Sequence, residues 1–352
     1  MPPIARPASG SHPTPAEPSL QRKVAFLRRR EAYPEATGEV RAIETHLSWV
    51  FLTDTHAYKL KKPVRHEDCD LTTVGARAAH CRMEIVLNRR LSDGVYLGVV
   101  PLGIDRSGRL HVDRGGIVVD WMIRMRRLPA ARMLDRIVAS RRLREGSLRP
   151  LIARLVRFYR SCSPEAVPGA SYRARLAARI ARSTRELCAP QAQLSVPRVE
   201  ELGERQLAFL DRHAEAIDRR VCLGHVVEGH GDLRPEHVCL EEVPQVIDCL
   251  EFSRELRVLD VAEELGFLAL ECERLGAPGA KSEIFGEYAA LSGDRPDPAI
   301  VDFHQSVHAC VRATLAAAHL GEPDRDDHER WLRRTAEYVQ LAARHLSGER
   351  SP

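Results

Sequence analysis

The stretch that decides the fold runs His230-Gly231-Asp232-Leu233-Arg234-Pro235-Glu236-His237-Val238-Cys239-Leu240, and Val246-Ile247-Asp248 follows shortly after it. This pattern predicts a polar loop, a short apolar strand, a turn and a second apolar strand that ends in an acid. Asp232 and Asp248 are then expected at neighbouring strand ends. Two carboxylates held there suit phosphoryl transfer, in which one accepts the proton of an attacking hydroxyl and the other holds magnesium.

Composition limits the class of protein that these 352 residues can form. Hydrophobic residues make up 44% and charged residues 29%, which is typical of a globular protein. A chain of this length is expected to form one bilobal domain or two domains. The sequence shows no apolar run of the roughly 20 residues that span a bilayer and no signal-peptide pattern, so we expect a cytoplasmic protein without membrane contact. The net charge of +4 is too small to indicate nucleic acid as a partner.

The order of patterns predicts an α+β protein in two lobes. Residues 1–20 are rich in Pro, Ser and Ala and are predicted to be a disordered tail. Residues 21–128 form a small lobe of antiparallel strands with one main helix over 71–91, and residues 129–352 form a large, mostly helical lobe that carries the acidic loop. The clearest helices of the large lobe are predicted over 148–161, 172–187, 199–219, 260–275, 282–291, 299–319 and 327–346.

A lysine-bearing strand is predicted over 57–61. Alternation along it places Lys59 and Lys61 on one face with Ala57, and Lys62 on the other. A small residue two positions before a lysine suits a nucleotide site, because it leaves room for the base while the lysine reaches the phosphates. We expect Lys59 to fill this role, with Lys61 as its substitute. The alternative is a solvated edge strand, in which lysines discourage aggregation.

Two further residues of the small lobe are candidates for the nucleotide site. Glu84 is the sole acid over 71–91, where kinase chemistry needs an acid to hold the lysine in position. Ser48 ends a turn that is a candidate for covering the phosphates with backbone N–H groups and its hydroxyl. An ordinary surface glutamate and a plain hairpin turn are the respective alternatives.

The opening loop supplies the catalytic candidates. We expect Asp232 to act as the base, His230 to brace the loop from behind and Asp248 to bind magnesium. In kinase chemistry an amide five residues after the base usually holds a second magnesium, and here that position is His237. A neutral imidazole can ligate a metal, although magnesium prefers oxygen. The alternative is that His237 only hydrogen-bonds the Asp232 loop.

Taken in order, these motifs resemble the aminoglycoside phosphotransferase-like branch of the protein-kinase-like fold. More narrowly, the chain is similar to an uncharacterised bacterial group in that branch, in some members fused to a P-loop ATP-binding domain. The segments that carry the resemblance cover 44–52, 57–64, 88–91, 96–101, 125–129, 230–233 and 248–252. The sequence contains no G-x-x-x-x-G-K-[ST] motif, so any use of ATP depends on the kinase-like part.

The resemblance implies a bilobal fold with ATP and Mg²⁺ in the cleft and a small-molecule hydroxyl as the acceptor. The backbone near Met125 to Leu128 would hold the adenine, Lys59 the phosphates and Glu84 the lysine. Asp248 would hold the metal and Asp232 would be the base. His237 departs from the family's usual asparagine. That departure leaves open a catalytically weak, nucleotide-binding or regulatory protein.

Two other questions remain open from the sequence. An arginine face over 172–187 favours an anionic acceptor, unless it is only the solvated side of an amphipathic helix. A set of acids after Asp248 would make the other side of the cleft acidic, although Asp260 is expected to be structural. A metal-dependent hydrolase is a third functional reading. The arginine face consists of Arg173, Arg175, Arg179, Arg182 and Arg185. The acids after Asp248 are Glu251, Glu255, Asp260, Glu263 and Glu264. The candidate metal ligands of a hydrolase are His225, His230, Asp232, His237 and Asp248.

Overall fold

A computed structural model describes residues 17–66, 69–321 and 327–347. The chain divides into two compact units, the first made of the residues up to Ile85 with Gly94–Arg127, the second of Val86–Asp93 and Leu128 onward. A sequence-based division at residue 128 therefore misassigns Val86–Asp93. Most of the predicted tail lies outside the described residues. Its last part does not fit the prediction, because Ser19 accepts a hydrogen bond from Arg22 N and caps the first helix.

The first unit contains a six-stranded antiparallel sheet with the order β1-β2-β3-β6-β4-β5. Its β3 pairs with both β2 and β6, with Lys59 opposite Val50 and Ile123. The lysine strand is therefore central, and the edge-strand alternative is wrong. The strands are β1 Arg41–Glu44, β2 Ser48–Leu52, β3 His56–Lys61, β4 Tyr96–Ile104, β5 Leu110–Val112 and β6 Ile117–Arg126.

Two helices pack on this sheet, α1 (Leu20–Leu27) and α2 (Val74–Asn88). A buried carboxylate on β6 connects both to the sheet. Asp120 Oδ2 lies 2.8 Å from Lys23 Nζ of α1, and its Oδ1 lies 2.8 Å from Arg77 Nε of α2. Removing one partner of such a buried set leaves an uncompensated charge, which is strongly destabilising.

The second unit is mostly helical, with two hydrophobic clusters as its core. The single helix predicted over 199–219 is wrong. His213 leaves helical geometry (φ −102°, ψ 19°) with its ring stacked 4.0 Å from Phe209, and a new helix begins at Ala214. The helices are α3 Leu134–Ala139, α4 Arg149–Ser161, α5 Gly169–Leu187, α6 Val196–Arg212, α7 Ala214–Cys222, α8 Arg254–Arg257, α9 Val261–Arg274, α10 Ala280–Ser292, α11 Pro298–Ala318 and α12 His328–Leu346.

Short strands hold the acidic loop. β8 (Val238–Cys239) pairs antiparallel with β9 (Gln245–Val246), which is the strand–turn–strand arrangement predicted from the sequence. A second pair joins β7 (Val226–Glu228) to β10 (Val258–Asp260). The loop from Gly229 to His237 lies between β7 and β8, and Asp248 follows β9. Across the described ranges, no helix has both the length and the apolar character that crossing a membrane requires.

Candidate active site

In the first unit, one buried carboxylate holds two lysines of β3. Glu84 Oε1 lies 2.8 Å from Lys59 Nζ, and its Oε2 lies 2.7 Å from Lys61 Nζ. Glu84 is fully buried, so it is not a surface glutamate. The Lys59 side chain is 12% exposed and that of Lys61 only 1%, so Lys59 is the lysine with access to a ligand. Lys62 lies apart from this group and pairs with Glu44.

In the turn before β2, Ser48 does not present the groups expected of it in a phosphate cover. Ser48 is buried, and its N–H donates to Thr45 Oγ1 at 3.0 Å. Thr45 N–H in turn donates to Ser48 O at 2.8 Å. Because the Ser48 hydroxyl is buried and its N–H is already bonded, the turn matches the plain-hairpin alternative.

The segment expected to hold adenine is the end of β6. Met125 is buried and pairs with Ala57 of β3 and with Tyr96 of β4. The next two backbone N–H groups are used by the first unit itself, because Arg126 N donates to Val95 O and Arg127 N to Thr55 O. Neither of these two N–H groups is therefore open to a ligand.

In the second unit, His230 braces the acidic loop. Its Nε2 lies 2.9 Å from Ile247 O, which can only accept, so Nε2 carries the proton. Its Nδ1 then accepts from Asp232 N at 3.3 Å. Burial and the nearby His237 lower the pKa of His230 to about 3, so the ring is neutral at physiological pH. His230 thus connects the loop to the residue before Asp248.

His237 lies between the two acids. Its Nδ1 donates to Asp232 O at 2.9 Å and lies 3.6 Å from Asp232 Oδ2. Its Nε2 lies 3.4 Å from Asp248 Oδ2. One imidazole therefore reaches both carboxylates, which places Asp232 and Asp248 on either side of a single ring. Asp248 itself has a left-handed backbone (φ +62°), a conformation that Asp adopts more readily than most residues.

Sequence reasoning missed Arg234. Its Nε lies 3.2 Å from Asp232 Oδ1, and one terminal nitrogen lies 3.0 Å from His237 Nε2. Burial by itself would raise the pKa of Asp232, but the charge of Arg234, with further contributions from His237 in its protonated form and from Arg312, outweighs that effect and holds it below its ordinary value. Asp232 is therefore ionised at neutral pH, as a proton acceptor has to be.

Sequence reasoning also did not indicate that a buried glutamate, Glu264, supports the loop from behind. Glu264 Oε1 accepts from His230 N at 2.7 Å and from Gly231 N at 2.6 Å, and Oε2 accepts from the Tyr159 hydroxyl at 2.7 Å. Gly231 has φ +84°, and an added Cβ would lie 3.1 Å from both Arg257 Cγ and Leu256 O. The loop therefore needs both glycine's backbone freedom and its lack of a side chain.

The segment Val86–Asp93 anchors the same loop within the second unit. Arg90 donates to Glu228 O at 3.0 Å and to Gly229 O at 2.8 Å. Asn88 Oδ1 accepts from Cys249 N at 2.9 Å, next to Asp248. These bonds give a structural role to residues 88–91, one of the segments that carry the resemblance.

The arginine face over 172–187 and the acids after Asp248 were the two features from which the charge of the acceptor was inferred. Several of these side chains form ion pairs within the second unit. Arg173 pairs with Asp218 at 2.8 Å, and Arg182 with Glu186 at 2.7 Å. Arg179 pairs at 2.6 Å with Glu263, so one arginine of the first set neutralises an acid of the second. Three of the five arginines of this face are therefore paired with acids of the second unit, which weakens the inference of an anionic acceptor.

Asp260 and Glu264, two further acids after Asp248, have structural partners as well. Asp260 pairs with Arg220 and accepts from Ala262 N at 2.8 Å, which caps α9, so the expected structural role is met. Glu264 holds the loop from behind, as described above. His225, one of the proposed hydrolase ligands, lies 3.4 Å from Asp294 instead.

The donor set of the loop suits one magnesium ion bound together with phosphates. The Asp248 side chain is 43% exposed, and magnesium in such sites takes one or two carboxylates plus substrate oxygens. Within the part of the chain that the structure describes, no group of three or more His, Cys, Asp or Glu side chains could hold a metal. Both nitrogens of His230 are also hydrogen-bonded, so neither is open to bind a metal ion. The hypothesis of a metal-dependent hydrolase is therefore left without the ligands that it requires.

Two solved structures share this architecture. The GDP complex of aminoglycoside 2'-phosphotransferase-IIIa superposes with a TM-score of 0.54 at 12% identity, covering 94% of this chain and 100% of that one. A choline kinase from Cryptosporidium parvum superposes with a TM-score of 0.53 at 10% identity, covering 93% and 97%. The chain therefore has the protein-kinase-like fold. The predicted resemblance to aminoglycoside phosphotransferase-like proteins is confirmed at the level of fold.

Similarity in sequence extends to uncharacterized proteins of Mycobacterium tuberculosis and Mycobacterium bovis. They are 29% identical over 290 residues, which cover 80% of this chain and 56% of those proteins. The chain thus spans about half the length of the curated relatives it matches. It matches no protein-family model.

Proposed function

We propose that the protein is an ATP-dependent phosphotransferase that transfers the γ-phosphate to a hydroxyl group of a small molecule. The observation that carries this proposal is the pair Asp232 and Asp248, held on either side of the His237 ring at 3.6 and 3.4 Å. A proton acceptor and a magnesium ligand are the two carboxylates that such a transfer requires. The fold neighbours support it, since both are named as phosphotransferases or kinases.

The first unit would supply the phosphate-binding lysine. Glu84, at 2.8 Å, orients the ammonium group of Lys59, while Lys61 occupies the other carboxylate oxygen. These contacts support Lys59 as the residue that binds the phosphates and Lys61 as a buried partner of Glu84. A neighbour that binds GDP supports a nucleotide as the ligand.

The transfer is a displacement at phosphorus. The acceptor oxygen forms a bond to the γ-phosphorus, and the bond from that phosphorus to the β,γ-bridging oxygen breaks. ADP leaves with the electron pair of that bond. Asp232 takes the hydroxyl proton, and its lowered pKa keeps it ready to do so at neutral pH. Magnesium, when bound, neutralises phosphate charge and orients the transferring group.

Asp232→Ala tests the proposal. ATP binding is expected to persist, because the variant keeps Lys59 and Asp248. It is measured as the rise in melting temperature on addition of ATP and Mg²⁺. Transfer to any acceptor found by screening hydroxyl-bearing metabolites is expected to disappear. Residual transfer within a few-fold of wild type would exclude Asp232 as the base.

The second candidate is a nucleotide-binding or regulatory protein of little catalytic power. His237 at the usual amide position favours it. His237→Asn separates the two functions, because a large gain of turnover from nothing, with nucleotide binding unchanged, would support the regulatory protein.

A further inference from the structure

The side chain at the usual amide position is already engaged at both nitrogens. Asp232 O can only accept, so His237 Nδ1, 2.9 Å away, carries the proton. His237 Nε2 lies 3.0 Å from a terminal nitrogen of Arg234, and because a guanidinium can only donate, Nε2 is the acceptor in this contact. The same Nε2 also lies 3.4 Å from Asp248 Oδ2. The donor set expected for a second magnesium is thus already bound to a cation.

The guanidinium also reaches the expected base. Arg234 Nε lies 3.2 Å from Asp232 Oδ1, while its terminal nitrogen contacts His237. Arg234 immediately precedes the 3₁₀ turn Pro235–His237, and the Arg234 side chain is only 18% exposed. The positive group is therefore held in a largely buried position by a hydrogen bond to His237 and by an ion pair with Asp232, in which Nε itself makes no hydrogen bond.

We propose that the Arg234 guanidinium takes the place of the second magnesium ion, so that this protein binds its nucleotide with one divalent cation. The inference rests on the proposed function, because it concerns the same site. His237 is then a positioning residue. Its Nδ1–H fixes the ring on the backbone of Asp232, and its Nε2 directs the arginine.

Chemistry favours arginine for this place. The guanidinium stays charged throughout the pH range in which enzymes work, whereas magnesium binds imidazole poorly. Its planar arrangement of donors matches phosphate oxygens, so it can stabilise the charge on a transferring phosphoryl group without a metal. A second divalent cation at His237 would also meet the like charge of Arg234.

The first test counts metal ions. Equilibrium dialysis with Mn²⁺ and a non-hydrolysable ATP analogue gives the number of Mn²⁺ ions retained per bound nucleotide. We expect one for wild type and one for His237→Asn, since Arg234 remains. The double variant Arg234→Gln with His237→Asn is expected to retain two. Arg136→Gln, at an exposed arginine of α3, is the matched control and is expected to retain one.

The outcomes separate this inference from the proposed function. Two Mn²⁺ ions per nucleotide on wild type would overturn the role of Arg234 while leaving a kinase in place. One ion on the double variant would also overturn it, because the removal of Arg234 should open the second position. No binding of the analogue by any of these proteins would remove the proposed function itself.

A second test uses turnover once an acceptor is known. Arg234→Gln is expected to lose about a hundredfold or more in kcat, the size typical for a lost charge-stabilising donor. The double variant is expected to recover part of that loss, and only as Mg²⁺ is raised above the concentration that saturates wild type. Equal losses in both variants at every Mg²⁺ concentration would refute the replacement of metal by arginine.

Discussion

His230 gives a prediction whose size follows directly from the structure. Its pKa falls from 6.5 to about 3 in the folded chain, mainly because the ring is buried. Between these values the unfolded chain binds a proton that the folded chain does not, so the free energy of unfolding decreases as the pH falls. Each pH unit is worth about 1.4 kcal/mol, and the full difference of about 3.5 units corresponds to roughly 5 kcal/mol.

The perturbation is His230→Gln, which removes the titrating group. Urea unfolding followed by far-UV circular dichroism gives the free energy of unfolding at each pH. At about pH 7 the ring is neutral in both states, so the gap between wild type and variant reflects only lost contacts. From about pH 6 to about pH 4.5, wild type is expected to lose about 2 kcal/mol more than the variant.

The readout is how the difference in the free energy of unfolding between wild type and variant changes with pH. The size of that difference at a single pH is not used. His230→Asn, of different length and equally unable to titrate, serves as the control and is expected to show the same change. Parallel curves for wild type and both variants over this range would refute the reasoning. They would mean that His230 is protonated in the folded chain and does not donate to Ile247 from a neutral ring.

Two further predictions concern single positions in each unit. Lys59→Ala is expected to weaken nucleotide binding by roughly tenfold or more, which is the size of effect expected for a lost charge-assisted hydrogen bond. Lys62→Ala, on the opposite face of the strand, is expected to change binding little. Equal effects of the two variants in a nucleotide titration would mean that Lys59 does not contact the phosphates. Gly231→Ala is expected to cost about 2–4 kcal/mol in urea unfolding, from its left-handed backbone and the crowding around it. Gly293→Ala has the same φ of +84° but open space around it, so it should cost only the backbone part, and an equal loss in the two variants would show that crowding is unimportant.

Much of the fold follows from local patterns in the sequence. Alternation along β3 put Lys59 and Lys61 on one face, and the structure places both on Glu84. The strand–turn–strand arrangement before Asp248 was also predicted correctly. These features could be read because side-chain direction in a strand repeats every two residues, so short sequences carry the information.

Other features depend on partners that lie far away in the sequence. The break at His213 and the attachment of Val86–Asp93 to the second unit were not predicted, since both are decided by packing. The functions suggested for the arginine face and for the acids also changed. Arg179 and Glu263 are 84 residues apart, and nothing local indicates that they pair.

The sequence by itself determined which chemical groups the acidic loop carries and in what order, because motif spacing sets the identity of the candidate base and metal ligand. Only the tertiary structure decided how those groups are used. Arg234 is an unremarkable loop arginine in the sequence, and it becomes a candidate for a metal's position through its contacts with Asp232 and His237. The physical reason is that electrostatic interactions depend on distance and burial in three dimensions, and both are set by the packing of the whole unit.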